Sequence, residues 1–168
     1  MNTLKLQALD LQDLNIVSAH LQDAVLRVGD MAYVPREKRF AVLMNRFDWT
    51  TAKGNQHDGK KQFERRRSAL RVERVLRAQL LNIDLDAPDV VLELLAIEYN
   101  AASPPEPEGT ITLLFAGGGA VQLDVECIEA ELKDLGPIWR THNRPEHNAD
   151  GRTEPDEPQD AETSNSDV

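Results

Sequence analysis

Between Gly109 and Trp139 two apolar runs meet across three consecutive glycines. The first reads Gly109-Thr-Ile-Thr-Leu-Leu-Phe-Ala116 and the second Ala120-Val-Gln-Leu-Asp-Val-Glu126, with Gly117, Gly118 and Gly119 between them. Glycine enters left-handed turns without steric cost, so the arrangement predicts a β-hairpin with at least one glycine at positive φ. A hairpin alone cannot bury its apolar face, so the remaining segments must complete a core around it. Directly after it, Ile128, Leu132 and Leu135 recur at steps of four and three, while Glu129, Glu131, Lys133 and Asp134 lie on other faces. Gly136-Pro137 then stops the pattern, which predicts a short C-terminal amphipathic helix with Cys127 at or near its start. Trp139 is expected to pack back on the body.

Upstream, Leu4, Leu6 and Ala8 alternate with polar residues as in a short strand. Asp10 then opens a helical pattern carried by Leu14, Val17 and Leu21, with Asp13 favourably placed in the first turn. Ala24 to Val34 and Arg39 to Trp49 read as two strands joined at Pro35-Arg-Glu-Lys38, with Phe40, Val42 and Met44 on one face. Residues 50–62 hold Gly54, Asn55, Asp58 and Gly59 without apolar periodicity and are expected to form a loop. Residues 68–83 fit two patterns: a helix lined by Val72, Val75, Leu76, Leu80 and Ile83, or a strand broken near Glu73-Arg74. The strand is favoured because its neighbours are strands, and the helix stays open because Arg, Glu, Leu and Ala are good helix formers. A turn at 84–89, an apolar strand from Val90 to Tyr99 and a proline-stiffened link from Ala102 to Glu108 lead into the hairpin.

The expected class is therefore α+β. It has a mostly antiparallel curled sheet or split barrel of about six strands after the first short one, an N-terminal helix and a C-terminal capping helix. A pleckstrin-homology-like barrel is the first topology and a flatter α+β sandwich the second. Charge separates the chain into two parts. The net charge is −10, but residues 141–168 contain eight acidic side chains and two arginines, which leaves −4 for residues 1–140. That tail lacks an apolar cluster and is rich in Pro, Glu, Asp, Ser and Asn, so it is expected to be disordered beside a single domain over 1–140. The lone Cys127 excludes an intrachain disulfide, and no apolar run approaches the roughly 20 residues of a membrane span. A cytoplasmic, non-membrane setting is the expectation.

The segments Leu-Leu-Phe-Ala-Gly-Gly-Gly-Ala and Glu-Cys-Ile-Glu-Ala-Glu-Leu-Lys-Asp-Leu-Gly between Gly109 and Gly136 carry a resemblance, as do Met44-Asn-Arg-Phe-Asp-Trp49 and Leu92-Glu-Leu-Leu-Ala-Ile97. Over roughly residues 4–140 the chain resembles a family of uncharacterised alphaproteobacterial proteins, known only as a domain of unknown function. The resemblance implies a bacterial cytoplasmic setting and brings no activity, substrate or site residue with it.

The residues themselves offer little chemistry. The glycine triplet runs into a strand and is not followed by Lys-Ser or Lys-Thr, so a tight turn explains it better than a phosphate loop. Cys127 is flanked by Asp124, Glu126 and Glu129, which disfavour a thiolate and favour a structural thiol. His20, His57, His142 and His147 have no metal-ligand spacing, no carboxylate pair stands out for acid–base work, and no nucleophile motif occurs. These observations point to no cofactor and no metal, and to a non-enzymatic binding or scaffold module rather than an enzyme. One feature is anomalous. Lys60, Lys61, Arg65, Arg66, Arg67, Arg71, Arg74 and Arg77, set against Glu64 and Glu73, place +6 in eighteen residues of an acidic chain. Either this is a charge-guarded strand edge, or it is an anion site for a nucleic acid, a phosphorylated ligand or an acidic protein, with Phe63 and Trp49 available for stacking. The partner expected on that basis is a protein or a polyanion.

Overall fold

The computed structural model describes residues 3–48, 63–136 and 139–141. Strand β1 (Lys5–Ala8) leads to helix α1 (Leu11–Leu21). Asp10 caps that helix, its side chain accepting from the Asp13 backbone N–H at 2.8 Å. Leu14, Val17 and Leu21, one turn apart, are buried. Next come β2 (Val25–Arg27), a 3-10 turn over Val28–Asp30, and β3 (Met31–Val34). A second 3-10 turn over Pro35–Glu37 reverses the chain into β4 (Arg39–Asp48), with Lys38 in the left-handed region. Phe40, Val42 and Met44 point inward together, as their alternation requires.

The ambiguous segment is strand on both sides of a corner: β5 (Phe63–Val72) and β6 (Val75–Leu81) flank Glu73-Arg74, where Arg74 has φ 62°. Strand β7 (Val91–Ala101) follows, and the glycine hairpin supplies β8 (Gly109–Phe115) and β9 (Ala120–Val125). The final strands are β10 (Ala130–Asp134) and β11 (Trp139–Thr141). All pair antiparallel in the order β1-β10-β5-β4-β2-β7-β8-β9-β6, with β3 on β4 and β11 on β5. The ribbons β5–β6 and β10–β9 turn the corner together. There the Glu73 N–H donates to the Glu129 carbonyl at 2.8 Å and the Glu126 N–H to the Arg74 carbonyl at 3.0 Å. The sheet thus curls over one apolar core without closing, and α1 packs across it, the Ser18 hydroxyl accepting from the Ile97 N–H at 2.9 Å.

The C-terminal capping helix is not formed. Its residues make β10, in which Ala130, Leu132 and Asp134 are buried while Lys133 is exposed. The steps of four and three at Ile128, Leu132 and Leu135 fit a helix. However, Leu135 is 39% exposed, and both flanks of the segment are taken by partners: Leu132 registers with Leu6 of β1 and with Leu70 of β5. Ladder pairing and a two-sided apolar contact outweigh the propensity of one short segment. Among the described residues the sheet accordingly has eleven strands rather than about seven, and half-buried Cys127 lies in the corner between β9 and β10, not at a helix start. The expected loop over 50–62 and the expected tail lie outside the described residues, apart from the backbone of Thr141 in β11.

Gly117 and Gly118 have φ 86° and 93°. A Cβ at Gly118 would touch nothing, so its constraint is conformational rather than steric. Gly118→Val is expected to cost about 1–2 kcal/mol through left-handed strain without altering any packed contact. Thermal unfolding should show a clear drop in Tm, and an unchanged melt would reject the assignment.

Candidate functional site

Strand β5 carries most of the basic run, and its pleat divides the arginines. Arg66 shares the inward face with Ser68, Leu70 and Val72 and is buried. Arg65, Arg67 and Arg71 project to the other face. On β4 the inward row Phe40, Val42, Met44 continues as Arg46 and Asp48, so the apolar interior becomes ionic at one end. Arg46 and Arg66 stand directly opposite in the ladder, a repulsive placement relieved by buried carboxylates. Asp134 of β10 takes Arg46 as a two-pronged pair, Nε to Oδ1 and Nη2 to Oδ2, both at 2.8 Å. It also accepts from Ser68 Oγ at 2.7 Å and from the Leu4 N–H at 2.9 Å. Arg66 Nε lies 2.8 Å from Asp48 Oδ2, and its Nη1 lies 3.7 Å from Asp134. Burial alone would push the Asp134 carboxyl up. The bonds from Arg46, Ser68 and Leu4 outweigh it and hold the group at about 2. Half-buried His20 sits near this cluster. Burial first, then the positive Arg46, lowers its imidazole from the ordinary value, against the opposing pull of Asp48 and Asp134. Both Asp134 oxygens are engaged, so this carboxylate fastens β4, β5 and the Leu4 backbone just ahead of β1 to β10.

The outward arginines divide again. Arg71 lies 3.2 Å from Glu73 and 3.5 Å from Glu131. Arg74, at the corner, lies 3.2 Å from Glu129 and 3.7 Å from Glu126. Lys38 and Arg39 join the same exposed network through Glu126, Glu37 and Glu73. These cations therefore carry their counter-ions with them. Arg65 lies over the Phe47 ring, 4.6 Å from its centroid, and burial lowers its pKa from the ordinary value. Arg77 is exposed on β6, in register with Asp124 of β9. Lys60 and Lys61 lie outside the described residues, as do Trp49 and the side chain of Phe63. Among the described residues the run is thus divided between the two faces of β5, the corner at Arg74 and the outer face of β6.

Arg67 is placed differently. Its Nη1 reaches only Asn45 Oδ1, at 3.5 Å, and it has no carboxylate partner among the described residues. It borders a cavity of about 350 Å³ that sequence reasoning did not anticipate. The ladder explains the opening. Val25 registers with Asn45 and Met31 with Val42, so five residues, Leu26 to Asp30, face only Leu43 and Met44. The excess swings outward as the 3-10 turn, which is held away from β4 by Val28 N–H to the Val90 carbonyl at 3.0 Å and Gly29 N–H to the Pro88 carbonyl at 2.9 Å. The seam left behind has Arg67 and Asn45 on one wall, Arg27 and Val91 on the other, Met44 and Leu26 beneath, and Asp30 at the turn. One Asp30 oxygen accepts from the Arg27 backbone N–H at 3.2 Å. The groove therefore carries two guanidinium groups against one carboxylate, beside an apolar surface.

Among the described residues no group of three or more His, Cys, Asp or Glu could hold a metal ion, and no described helix is long and apolar enough to cross a membrane. Neither the curated proteins nor the solved structures contain a match. The family model described as "Protein of unknown function (DUF2948)" matches residues 4–147, from β1 through the ionic cluster and the Arg67 groove to beyond β11. The chain belongs to that family.

Proposed function

We propose that this protein is a non-enzymatic binding module whose β2–β4 groove takes a small anionic molecule with an apolar body, held by Arg67 and Arg27. The observation that carries the reading is Arg67, drawn into the groove while its neighbours Arg71 and Arg74 are matched by glutamates. A planar guanidinium offers paired donors that suit a carboxylate or a phosphate, and Val25 and Val91 offer apolar contact beside it. Asp30 lowers the local charge to +1, which favours a singly charged group over a polyanion. The reading places the protein in an alphaproteobacterial cytoplasm, the setting its family resemblance implies. It does not depend on a pleckstrin-homology-like barrel, because the segment expected to cap one is β10.

The test is a thermal-shift and calorimetric titration with aliphatic monocarboxylates, small phosphate esters and short single-stranded oligonucleotides. Arg67→Met and Arg77→Met are compared with the unaltered protein. A carboxylate or phosphate ester that stabilises the unaltered protein and Arg77→Met, but binds Arg67→Met at least tenfold more weakly, is the expected result. Equal response of all three proteins would overturn the assignment to Arg67. Oligonucleotide binding weakened only by Arg77→Met would move the function to the outer surface of β6.

A further inference from the structure

Lys5 of β1 and Lys133 of β10 are exposed and stand directly opposite each other, in a cross-strand row that continues through Ala69 to Leu43. Like charges in that position repel. Arg46 and Arg66 form the same kind of pair inside, where Asp134 and Asp48 relieve it. Lys5 and Lys133 have no carboxylate partner among the described residues. Lys5 alone would suit a protected edge strand, but Lys133 lies one strand in, between β1 and β5. Glu131, the neighbouring outward residue of β10, lies 3.5 Å from Arg71. Along the same face of β5, Arg67 and Arg65 follow Ala69 at steps of two. Arg67 is diagonal to Lys133, about 7–8 Å away for such pairs, and the buried Arg65 Nε has no hydrogen-bond partner among the described residues. Four cations thus share one outer face without a counter-ion among those residues.

We infer that the acidic segment 142–168 lies over this face of its own chain, against Lys5, Lys133 and Arg65, and competes there with outside polyanions. Charge complementarity selects the occupant: the segment holds eight acidic side chains and two arginines, a net −6. Its point of departure is also favourable. Strand β11 pairs with β5 beside β10, and its last residue, Thr141, stands opposite Phe63. Lys133, opposite Ala69, is six residues away along β5, about 20 Å. A flexible chain of 27 residues has a root-mean-square span of roughly 30 Å, so the acidic side chains reach the whole face. Attachment favours this segment over a free partner of the same charge, because a tethered group acts at an effective concentration of about millimolar. The contact is a set of exposed pairs, so it weakens as salt rises. Lys5 and Lys133 do not line the Arg67 groove, and the inference stands without the ligand reading.

Zero-length carbodiimide coupling of lysines to carboxylates in the full chain, followed by peptide mass mapping, tests the contact. Lys38 serves as the reference, since its partner is Glu126 at 2.7 Å. The expected result is coupling of Lys5 and Lys133 to acidic residues of 142–168 within the monomer, lost at high salt, while Lys38 couples to Glu126. Segment carboxylates spread evenly over all lysines, coupled to none, or coupled only between two copies would overturn the proposal. Calorimetric titration with inorganic polyphosphate at low salt tests the competition. A full-length variant with the eight acidic residues changed to their amides should bind on the order of tenfold more tightly than the unaltered chain. Adding Lys5→Gln and Lys133→Gln, both at exposed positions, should remove most of that gain. Equal affinity of the first two proteins, or no binding by either, would overturn the competition. The Lys5→Gln, Lys133→Gln pair should leave the groove titration unchanged, so either reading can fail alone.

Discussion

Asp134→Ala is expected to lower stability by about 3–5 kcal/mol, the range for removing one partner of a buried ion pair. Arg46 would keep its charge with 4% of its side chain exposed and both prongs empty. Ser68 Oγ and the Leu4 N–H would lose their acceptor at the same time. Urea unfolding at neutral pH reads the loss directly, and a midpoint close to the unaltered protein's would show that the cluster does not fasten the strands. Acid unfolding supplies an independent check. In the unfolded chain this carboxyl titrates near 3.8, and in the folded protein at about 2. Between those values the unfolded state binds more protons, so stability falls as pH falls. The Asp134 contribution is complete above about pH 4 and is lost toward pH 2, amounting to about 2 kcal/mol by linkage. The stability difference between the unaltered protein and Asp134→Ala should therefore narrow through that window.

Leu132→Ala is expected to cost about 2–5 kcal/mol, as for a large aliphatic side chain removed from a packed core. Leu135→Ala should change stability by less than about 0.5 kcal/mol, as is usual for surface positions. The contrast separates the two structures this segment can adopt. In β10 Leu132 is fully buried between Leu6 and Leu70 while Leu135 is 39% exposed. In an amphipathic helix the two would share one buried face and lose similar amounts. Denaturant midpoints of the two variants decide the matter, and comparable losses would restore the helix.

What the sequence made legible follows from local physics. The glycine triplet had to be a turn because the residues on either side alternate as strands do, and Gly117 and Gly118 do lie at positive φ. Asp10 announced α1 because a side chain that can accept from Asp13 N–H sits just ahead of an apolar 3.6-residue pattern. What stayed hidden depended on distant segments. Three aliphatic residues at helical spacing could not reveal that β1 and β5 wait on either side of β10. A charge count over residues 60–77 could not show that Glu126, Glu129 and Glu131 come to lie beside Arg71 and Arg74. The groove needed the register on both sides of the 28–30 turn, which no composition encodes. The ionic cluster did leave a trace. Phe40, Val42 and Met44 step inward by twos, and the next two steps are Arg46 and Asp48, so the same alternation that marks the core extends into charge.

The pairing of β1 with β10 has a consequence for how the chain is made. Leu6 emerges from the ribosome 126 residues ahead of Leu132, its partner in the ladder. At about 5–20 residues per second the N-terminal strand waits on the order of ten seconds for the segment that holds it. From its own synthesis until that of β10, β5 presents the flank that β10 will occupy, and Arg46 lacks the Asp134 carboxylate. Contacts so distant along the chain also slow closure, because loop entropy is lost before the ladder forms. Nascent chains stalled short of residue 130 should therefore be the aggregation-prone species, and a chaperone that shields exposed strands would matter most between synthesis of β5 and synthesis of β10.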